Sequence, residues 1–396
     1  MRTGILGGAF DPIHSGHVAI AQAAMGALGL DRVLLLPSGK PPYKRVHAGR
    51  RQRLRMVELA AEGCAGLEVC DAEIVREGES YTVDTMAALR RRWPRDAFTY
   101  IIGADALEHL PDWRGIEEVV RMTDFAVVRR PGLHSDELQK TARKLADSLH
   151  ARIAVAEIEG LELSSGGVRE RVAEGAPITG FVPAAVEAYI REQGRYLCDC
   201  SEKELLRRLK STITLHRYHH TLGVADTAQR LAPRYGVDPL RARLAGLLHD
   251  CAKSLPYGEM RRLVEENVPD TDALELDSEP VLHAPAGMVL ARRDYGVRDP
   301  LILQAIRRHT LGGEHMTAMD AVIYVSDFIE PGRRPFEGLE RARAAAETDI
   351  FEAMRICAQL SSGYLTAHGQ SPHPRTLQLL KEDPKTTGGA VHDGTT

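Results

Sequence analysis

The feature that most constrains the fold is a change in apolar periodicity near the middle of the chain. The first half alternates short apolar runs, such as RVLLLPSG, with stretches whose apolar residues recur at helical spacing. Apolar strands that alternate with helices are typical of a parallel, doubly wound α/β sheet. From about Glu202 the strand-like runs stop, and only helical periodicity continues. We therefore predict an α/β domain followed by an all-α domain.

The same change predicts where the domains begin and end. A length of 396 residues is enough for two or three domains, at roughly 100–200 residues each. We predict a first domain over residues 1–196 and a helical domain over 203–380, joined by the segment GRYLCDCSEKE. Residues 384–396 are polar and rich in glycine, so we predict a disordered tail there.

Composition excludes several classes of protein. The 51 basic and 55 acidic side chains nearly cancel, which argues against a nucleic-acid partner. No window approaches the roughly 18 apolar residues of a membrane span, and MRTGILGGAF is typical of a first strand, not of a signal peptide. Six scattered cysteines favour a reducing compartment, so we expect a cytoplasmic protein. The sequence leaves the formation of a homo-oligomer open. Cys198 and Cys200 are interpreted as incidental thiols, with metal binding as the alternative.

The run GGAFDPIHSGH near the start predicts a phosphate site. Gly7 and Gly8 end the first strand, where the lack of a Cβ lets a ligand approach the backbone. An Asp-Pro turn follows, and the next helix opens with N–H groups that attract anions. His14 and His17 add side-chain donors at that point. The alternative is a structural turn that carries two surface histidines.

This run resembles the signature of the nucleotidylyltransferase superfamily, an H-x-G-H motif after a G-x-F-D-P turn. The segments LPSGKPPYKR, SYTVDT, IIGADAL and LSSGGVRERV, with Trp113, are similar to bacterial nicotinate-nucleotide adenylyltransferases over residues 1–196. Phosphopantetheine adenylyltransferase shares the opening motif, but it is not expected to carry the SYTVDT and IIGADAL segments. The resemblance implies a Rossmann-like sheet that transfers the adenylyl group of ATP to nicotinate mononucleotide, with Mg²⁺ bridging the ATP phosphates.

The resemblance also implies which residues form the site. The residues implied for ATP are Gly7, Gly8, Phe10, His14, His17, Gly103, Asp105, Ser165 and Arg169. The residues implied for nicotinate mononucleotide are Lys44, Tyr81, Thr82 and Trp113. The acceptor phosphate is already ionised at neutral pH, so the site must align anions and neutralise charge, without a general base. The residues implied in that catalytic role are His14, His17, Lys44 and Arg169.

Each of these assignments has a plainer alternative. Lys44 is otherwise a solvated loop lysine, Thr82 a helix cap, and Trp113 a core residue. The sequence also departs from the family pattern at two positions. Gly166 stands where the family usually has a threonine, which removes a hydroxyl near the phosphates, and Tyr43 stands where a histidine is common.

The helical half carries five segments in which an apolar helical run ends in His or Asp. They are HRYHHTLGV, LLHDCAK, LHAPAG, RRHTLGG and VSDFIEPGRR. Imidazole and carboxylate together suit iron, manganese or zinc, so the pattern predicts a metal site. The alternative for any single one of these residues is a hydrogen-bonded core histidine or a chance His-Asp pair.

These segments resemble the HD-domain phosphohydrolases over residues 203–380, in particular the bacterial branch that cleaves diadenosine tetraphosphate to two ADP. The metal ligands implied by the resemblance are His220, His249, Asp250, His283, His309 and Asp327. Six ligands imply two metals, divalent or mixed-valence, with iron expected and Asp250 as a possible bridge. Two metals at such a site generate hydroxide from bound water. His219 is interpreted as a neighbour that does not bind metal.

Catalytic roles in this half are assigned to Asp250 and Lys253. Lys253 is also a candidate for binding polyphosphate oxygens, because it lies one helical turn beyond the His-Asp pair. Arg333 and Arg334 are candidates for binding polyphosphate oxygens, whereas Arg307 is interpreted as a solvated cation. The leading hypothesis is a bifunctional enzyme. The alternatives are an HD module that senses a nucleotide without cleaving it, an HD domain with a different nucleotide substrate, and a structural or nucleic-acid-binding protein.

Overall fold

The computed structural model describes residues 1–42, 45–129, 135–159 and 161–381. The chain divides into two compact units: Met1–Val172 with Ala176–Tyr196 forms the first, and the second runs from Leu197 and includes Ala173–Gly175. Tyr43, Lys44 and the tail predicted for 384–396 lie outside the described residues.

The first unit is built on a six-stranded parallel sheet with the order β3-β2-β1-β4-β5-β6. The strands are β1 (Arg2–Gly8), β2 (Arg32–Pro37), β3 (Leu67–Val69), β4 (Ala97–Gly103), β5 (Asp124–Arg129) and β6 (Ile153–Glu159). The chain winds outward in both directions from β1 and β4, so the order reverses between these two strands. Ligands bind at such a reversal in open α/β sheets, outside the carboxyl ends of the strands. The predicted doubly wound parallel sheet is confirmed.

Helices cover both faces of this sheet. They are α1 (Ser15–Leu28), α2 (Arg50–Ala61), α3 (Thr82–Arg92), α4 (Ala104–Glu108), α5 (Ile116–Met122), α6 (Ser135–Leu149), α7 (Ser165–Ala173) and α8 (Ala184–Glu192). Successive strand residues face opposite sides, so Leu34 and Leu35 of β2 belong to two different cores. The strands are therefore apolar on both faces, which explains why they are visible in the sequence as continuous apolar runs.

One apolar run forms less strand than its length suggests. The segment LEVCDAEIV contributes only the three residues of β3. The backbone N–H groups of Ile74 and Val75 both donate to the carbonyl of Asp71, at 2.8 and 3.1 Å. These two bonds close the second part of the segment into a turn, so it does not extend the sheet.

The second unit is helical throughout its described part. Its helices are α9 (Glu202–Thr212), α10 (Leu215–Leu231), α11 (Pro239–Leu248), α12 (Tyr257–Asn267), α13 (Ala273–Leu276), α14 (Glu279–Arg293), α15 (Pro300–Arg308), α16 (Ala318–Ile329), α17 (Leu339–Ala346), α18 (Ile350–Ala367) and α19 (Pro374–Leu379). They pack around one apolar core of their own, which confirms the predicted all-α region. Among the helices of the described ranges, none combines the length and apolar character that crossing a membrane requires.

Candidate functional site

The first candidate site lies at the carboxyl end of β1, beside the point where the strand order reverses. The protein's own packing leaves little room for a Cβ at the two glycines of this end. A Cβ on Gly7 would lie 2.2 Å from the hydroxyl oxygen of Tyr100, and one on Gly8 would lie 3.2 Å from the ring of Phe10. Their small size therefore lets Tyr100 and Phe10 close around the turn that precedes α1.

His14 and His17 form a stacked pair at the start of α1. Their ring centroids are 3.6 Å apart. The ring of Phe10 packs edge-on against the ring of His17, with centroids 5.0 Å apart. The backbone N–H of His14 donates to Nδ1 of His17 at 3.2 Å, which places the proton of the neutral His17 ring on Nε2. The ring of His17 is thus held in one tautomer and one orientation.

His14 is a neutral imidazole under ordinary conditions. Its side chain is only 6% exposed, and burial lowers its pKa to about 4. Its Nδ1 atom is buried and has no hydrogen-bond partner among the described residues. The pair therefore offers directional ring groups beside the helix N-terminus, and His14 contributes no full positive charge near pH 7.

The start of α7 lies against the same turn and brings two predicted residues to it. Arg169 donates from Nη1 to the backbone carbonyl of Asp11 at 2.6 Å, and Ser165 donates from Oγ to the carbonyl of Pro12 at 2.8 Å. A Cβ at Gly166 would meet its nearest atom, Oγ of Ser164, at 3.7 Å, which is an ordinary contact. Local packing therefore does not require glycine at this position.

Arg53 is a functional residue that the sequence interpretation missed. It lies on α2, its exposed fraction is 0%, and its guanidinium donates to three backbone carbonyls in two loops, the one after β1 and the one after β2. These are Ala9 at 2.6 Å, Gly39 at 2.8 Å and Ala48 at 3.2 Å. Met56, three residues later on the same buried face, gave a signal that Arg53 faces inward. Arg53 thus holds together the loops that surround the histidine pair.

The predicted acceptor residues lie at the start of α3. Tyr81 occupies the N-cap position and Thr82 is the first helical residue, so Thr82 is not the cap. The guanidinium of Arg114 lies 4.6 Å from the ring centroid of Tyr81. A cation and a helix N-terminus therefore occur together here, and both favour an anionic group.

Trp113 lies close to this helix start and is half-buried. Its ring packs edge-on against Tyr100 at 5.7 Å and against Phe125 at 6.2 Å. A Cβ on Gly115 would lie 3.1 Å from Val83, so the loop after Trp113 touches the first turn of α3. The structure brings Thr82 and Trp113 into one neighbourhood, and part of the tryptophan fills an aromatic cluster.

Gly103 and Asp105 lie where β4 passes into α4. Apart from the chain neighbours of Gly103, no atom of the residues that the structure describes lies within 4 Å of a Cβ built on it, so these residues leave the space beside it open. Asp105 lines a cleft of about 580 Å³ together with Glu137 and Lys140 of α6. Lys44, the remaining residue predicted for this site, falls outside the described residues.

The second candidate site lies in the helical unit, where all six predicted metal ligands come together. Their closest side-chain atoms form three overlapping groups, each within 4.8 Å: His220, His249 and Asp250; His249, His309 and Asp327; and Asp250, His283 and His309. Five different helices, or the residues that directly follow them, supply this set. Residues that are up to 107 positions apart in the sequence therefore share one centre.

The distances within this cluster suit ligands that face a common point. Nε2 of His220 lies 2.9 Å from Oδ1 of Asp327, and Nε2 of His283 lies 3.1 Å from Oδ1 of Asp250. The Nε2 atoms of His283 and His309 are also 3.1 Å apart. Imidazole nitrogens and carboxylate oxygens in such a cluster form a donor set for borderline divalent metals.

Backbone carbonyls orient two of the imidazoles. Nδ1 of His249 bonds to the carbonyl of Gly246 at 2.7 Å, and Nδ1 of His309 bonds to that of Ile306 at 2.6 Å. A carbonyl only accepts, so both rings carry the proton on Nδ1 and turn an Nε2 lone pair into the cluster. Nε2 of His249 is buried without a hydrogen-bond partner among the described residues. An orphaned lone pair of this kind fits a metal ligand.

Electrostatics keep the two carboxylates ionised and leave His309 neutral. Burial opposes the charge of Asp250, but the neighbouring His249 and His283 outweigh it and hold its pKa below the ordinary range. The pKa of Asp327 is also lowered, since its bond with His220 outweighs the effect of burial. Burial lowers the pKa of His309 to about 3. These are the protonation states that metal ligands need.

Two residues that the sequence interpretation missed support this cluster. Glu330 is 3% exposed, and its Oε1 lies 3.1 Å from Nδ1 of His220. Its Oε2 accepts from the backbone N–H of Gly332 at 2.5 Å. Arg217 donates from Nη1 to Oδ2 of Asp250. Glu330 follows Asp327 by three residues and is the residue directly after α16, so a helical spacing of three in the sequence was the available signal.

Five of the six residues of this cluster, all except His249, line the floor of an open cavity of about 1270 Å³. Lys253 lines this cavity; its Nζ donates to the carbonyl of Pro280 at 2.8 Å and lies 2.7 Å from Nδ1 of His283. His219 lines the cavity as well, but it belongs to none of the candidate ligand groups of the described residues. The predicted catalytic lysine is thus in direct contact with a predicted ligand.

Arginines line the same cavity. Arg333 donates from Nη2 to Oδ1 of Asp327 at 2.9 Å, and Arg334 is its neighbour in the loop after α16. Arg307 lines a different cleft and pairs with Asp270 at 2.7 Å. The arrangement separates the two candidate phosphate-binding arginines from Arg307, which was interpreted as a solvated cation.

Comparison with known proteins assigns a family description to each unit. Residues 5–171 match the cytidylyltransferase-like family, and residues 217–354 match the HD domain. A probable nicotinate-nucleotide adenylyltransferase of Moorella thermoacetica is 39% identical over 198 residues, which span 49% of this chain and 91% of that protein. A second, from Bacillus pumilus, is 36% identical over 197 residues, which span 49% of this chain and 98% of that protein.

Solved structures match each unit in turn. A predicted HD superfamily hydrolase involved in NAD metabolism from Clostridium acetobutylicum has 34% identity and a TM-score of 0.44, covering 46% of this chain and 95% of its own. The nicotinic acid mononucleotide adenylyltransferase of Plasmodium falciparum, complexed with NaAD, has 16% identity and a TM-score of 0.41, covering 49% of this chain and 97% of its own.

Proposed function

This chain belongs, through its first half, to the nicotinate-nucleotide adenylyltransferase family, and we propose that this half transfers the adenylyl group of ATP to nicotinate mononucleotide. The products are deamido-NAD and pyrophosphate. Mg²⁺ would bridge the ATP phosphates and needs few protein ligands for that. The observation that carries the proposal is the stacked pair of His14 and His17 at the reversal point of the sheet.

In this reaction the acceptor phosphate attacks the α-phosphorus of ATP, and pyrophosphate leaves. The attacking oxygen is already ionised, so the site has to align anions and stabilise the charge that develops between them. Nε2–H of His17 and the first N–H groups of α1 are directional donors for those oxygens. Arg169 adds a permanent positive charge at the turn. The start of α3, with Arg114 nearby, is suited to the carboxylate of the nicotinate ring.

The test is formation of dinucleotide by the full chain from ATP and either nicotinate or nicotinamide mononucleotide. We expect a preference for the nicotinate substrate. His17→Ala should lower kcat by about 100-fold or more, the usual cost of losing one donor to a developing charge. His150→Asn, at an exposed histidine of the same unit, is the matched control and should leave the rate unchanged. Absence of dinucleotide from the unaltered chain would refute the proposal.

For the HD domain we propose metal-dependent hydrolysis of diadenosine tetraphosphate to two ADP, with iron as the metal. What supports this is the convergence of six ligands, five of which line the floor of a large cavity that cations also line. Metals bound by these ligands would supply a nucleophilic hydroxide at neutral pH. Lys253 and Arg333 lie in contact with His283 and Asp327 of the ligand set. In this proposal the two cations bind the phosphate oxygens of the substrate.

The test is the product pattern after the full chain, loaded with each candidate metal, is given diadenosine tetraphosphate. Two ADP are expected, whereas ATP with AMP would indicate asymmetric cleavage and overturn the proposal. Asp250→Ala should abolish hydrolysis and leave dinucleotide synthesis intact, and His17→Ala should do the reverse. A chain that binds metal and nucleotide but forms no ADP would instead be a nucleotide sensor.

A further inference from the structure

The rim of the metal-binding cavity differs in chemistry from its floor. The floor is histidine and aspartate, whereas the rim includes Phe328 at the end of α16 and Phe336 in the loop before α17. The two rings meet edge-on, with centroids 5.4 Å apart and planes at 87°. An aromatic pair at the mouth of a polar cavity has no role in holding metal, so it calls for a separate explanation.

Packing accounts for only one member of this pair. Phe328 is half-buried and contacts the core of the helical unit. Phe336 is 43% exposed and lies in a loop whose residues 331–337 are all exposed. A large apolar side chain left in water at a cavity wall gains little from folding. The ring of Phe336 therefore offers aromatic surface to whatever enters the cavity.

The same loop carries cationic groups next to this ring. Arg333 is held by Asp327, through Oδ1 at 2.9 Å and through its backbone carbonyl at 2.8 Å. Arg334 lines the cavity and has no hydrogen-bond or ion-pair partner among the described residues. A guanidinium and an exposed ring within three residues match the two parts of a nucleotide, its phosphates and its flat base.

We propose that Phe336 and Arg334 form a nucleotide subsite of the HD domain, in which a purine base stacks on Phe336 while its phosphates pass Arg334 toward the metal ligands. The inference rests on the proposed hydrolase function and makes it more specific. It assigns the preference for nucleotides over inorganic polyphosphate to the loop between α16 and α17. The cavity of about 1270 Å³ is larger than a phosphate chain alone would need.

The first experiment compares two ligands of the metal-loaded full chain. Stacking of a base on an aromatic ring is worth about 10-fold or more in affinity, so Phe336→Ala should raise KM for diadenosine tetraphosphate by at least that factor. The inhibition constant of inorganic pyrophosphate should stay within about 2-fold, because it has no base to stack. Phe336→Trp keeps an aromatic face and should restore KM. Equal effects on both ligands, or none on either, would overturn the proposal.

Tyr364 provides the matched control. It is 65% exposed on α18 of the same unit and does not line the cavity. Tyr364→Ala should therefore leave both constants unchanged. If it raises KM as much as Phe336→Ala does, the effect belongs to the stability of the unit, and the proposed subsite is wrong.

A second experiment does not depend on hydrolysis. Hydrogen exchange of residues 328–338 is measured in the full chain with ADP and with inorganic pyrophosphate. ADP should protect this segment more than pyrophosphate does, and Phe336→Ala should remove the difference. If ADP protects the loop but no substrate is cleaved, the subsite stands and the hydrolase proposal fails. If cleavage occurs while ADP and pyrophosphate protect the loop equally, the subsite is wrong and the hydrolase proposal stands.

Discussion

At the scale of single residues, the buried imidazole of His14 makes the stability of the first unit depend on pH. Burial lowers its pKa from 6.5 to about 4. The unfolded ring therefore binds a proton more readily than the folded ring, so its contribution is fully present above pH 6.5 and is lost as the pH falls toward 4. We expect the amides of β1 to lose up to about 3 kcal/mol of protection across this window, measured by hydrogen exchange.

Two variants isolate this effect. His14→Gln replaces the ring with an amide that does not titrate. In this variant the hydrogen-exchange protection of the β1 amides should therefore change less between pH 6.5 and 4. His109→Gln, at an exposed histidine of the same unit, should keep the pH dependence of the unaltered chain. An identical pH dependence in all three proteins would show that His14 is not the group responsible.

Glu330 is the second residue whose role can be measured directly. Its carboxylate accepts from His220 on one side and from Gly332 on the other. Partners of this kind fix the ring of a metal ligand, and their loss typically weakens metal binding by about 10- to 100-fold. We expect that loss for Glu330→Ala, measured by competition with a chelator. Glu330→Gln should lose less, because its amide oxygen still accepts from His220.

The control for Glu330 is another glutamate of the same unit. Glu340 is exposed on α17, and its ion-pair partner among the described residues is Arg343, which lies three residues away. Glu340→Ala should bind metal as the unaltered chain does. Equal metal affinity in the Glu330 and Glu340 variants would mean that the contact with His220 does not position the ligand.

At the scale of elements, Arg53 joins α2 to two loops, the one after β1 and the one after β2. Arg53→Met keeps much of the side-chain volume but leaves the carbonyls of Ala9, Gly39 and Ala48 without this donor. We expect the free energy of unfolding to fall by about 2–4 kcal/mol, since each buried unpaired group is costly. KM for ATP should rise as well, because the turn at Ala9 leads into the histidine pair. Urea unfolding and steady-state kinetics measure the two effects.

Arg55, two residues further along the same helix, provides the comparison. It is exposed, and within the described ranges its ion-pair partner is Glu58 at 3.1 Å. Arg55→Met should change the free energy of unfolding by no more than about 0.5 kcal/mol. If Arg53→Met were equally mild, the three carbonyls would have found other partners and the loops would not depend on the guanidinium.

Elements were the most predictable level of this structure. The strands of a parallel sheet are buried on both faces, so each appears in the sequence as an apolar run, and the Gly and Pro signals mark where each one ends. The exception was LEVCDAEIV, where the bonds from Ile74 and Val75 to the carbonyl of Asp71 make a turn from residues that look extended. Apolar content alone does not distinguish these two outcomes.

The partners of the site residues were the least predictable level. The contact between His220 and Glu330 spans 110 positions, and that between Arg217 and Asp250 spans 33. Both depend on how α10, α11 and α16 pack, and a single sequence carries no direct record of that packing. Arg53 was the intermediate case, because its spacing to Met56 placed it on the buried face of α2.

At the scale of the whole molecule, each unit has an apolar core of its own. Metal that binds the second unit should therefore stabilise only that unit. We expect calorimetry of the full chain to give two transitions, one of which moves down when a chelator removes the metal. A free metal concentration of 100 times Kd should raise the free energy of unfolding of that unit by about 2.7 kcal/mol. A shift of both transitions, or of neither, would contradict this expectation.

The two imidazoles that bond to backbone carbonyls, His249 and His309, each follow the last residue of a helix, and both helices begin with an Asp-Pro step, at Asp238 and Asp299. Adding one residue inside such a helix would swing the ring by about 100° and point it away from the centre. Evolution of this unit should therefore accept lengthened loops far more readily than lengthened α11 or α15. The number of residues in these two short helices thus fixes the direction in which the chelating nitrogen atoms point.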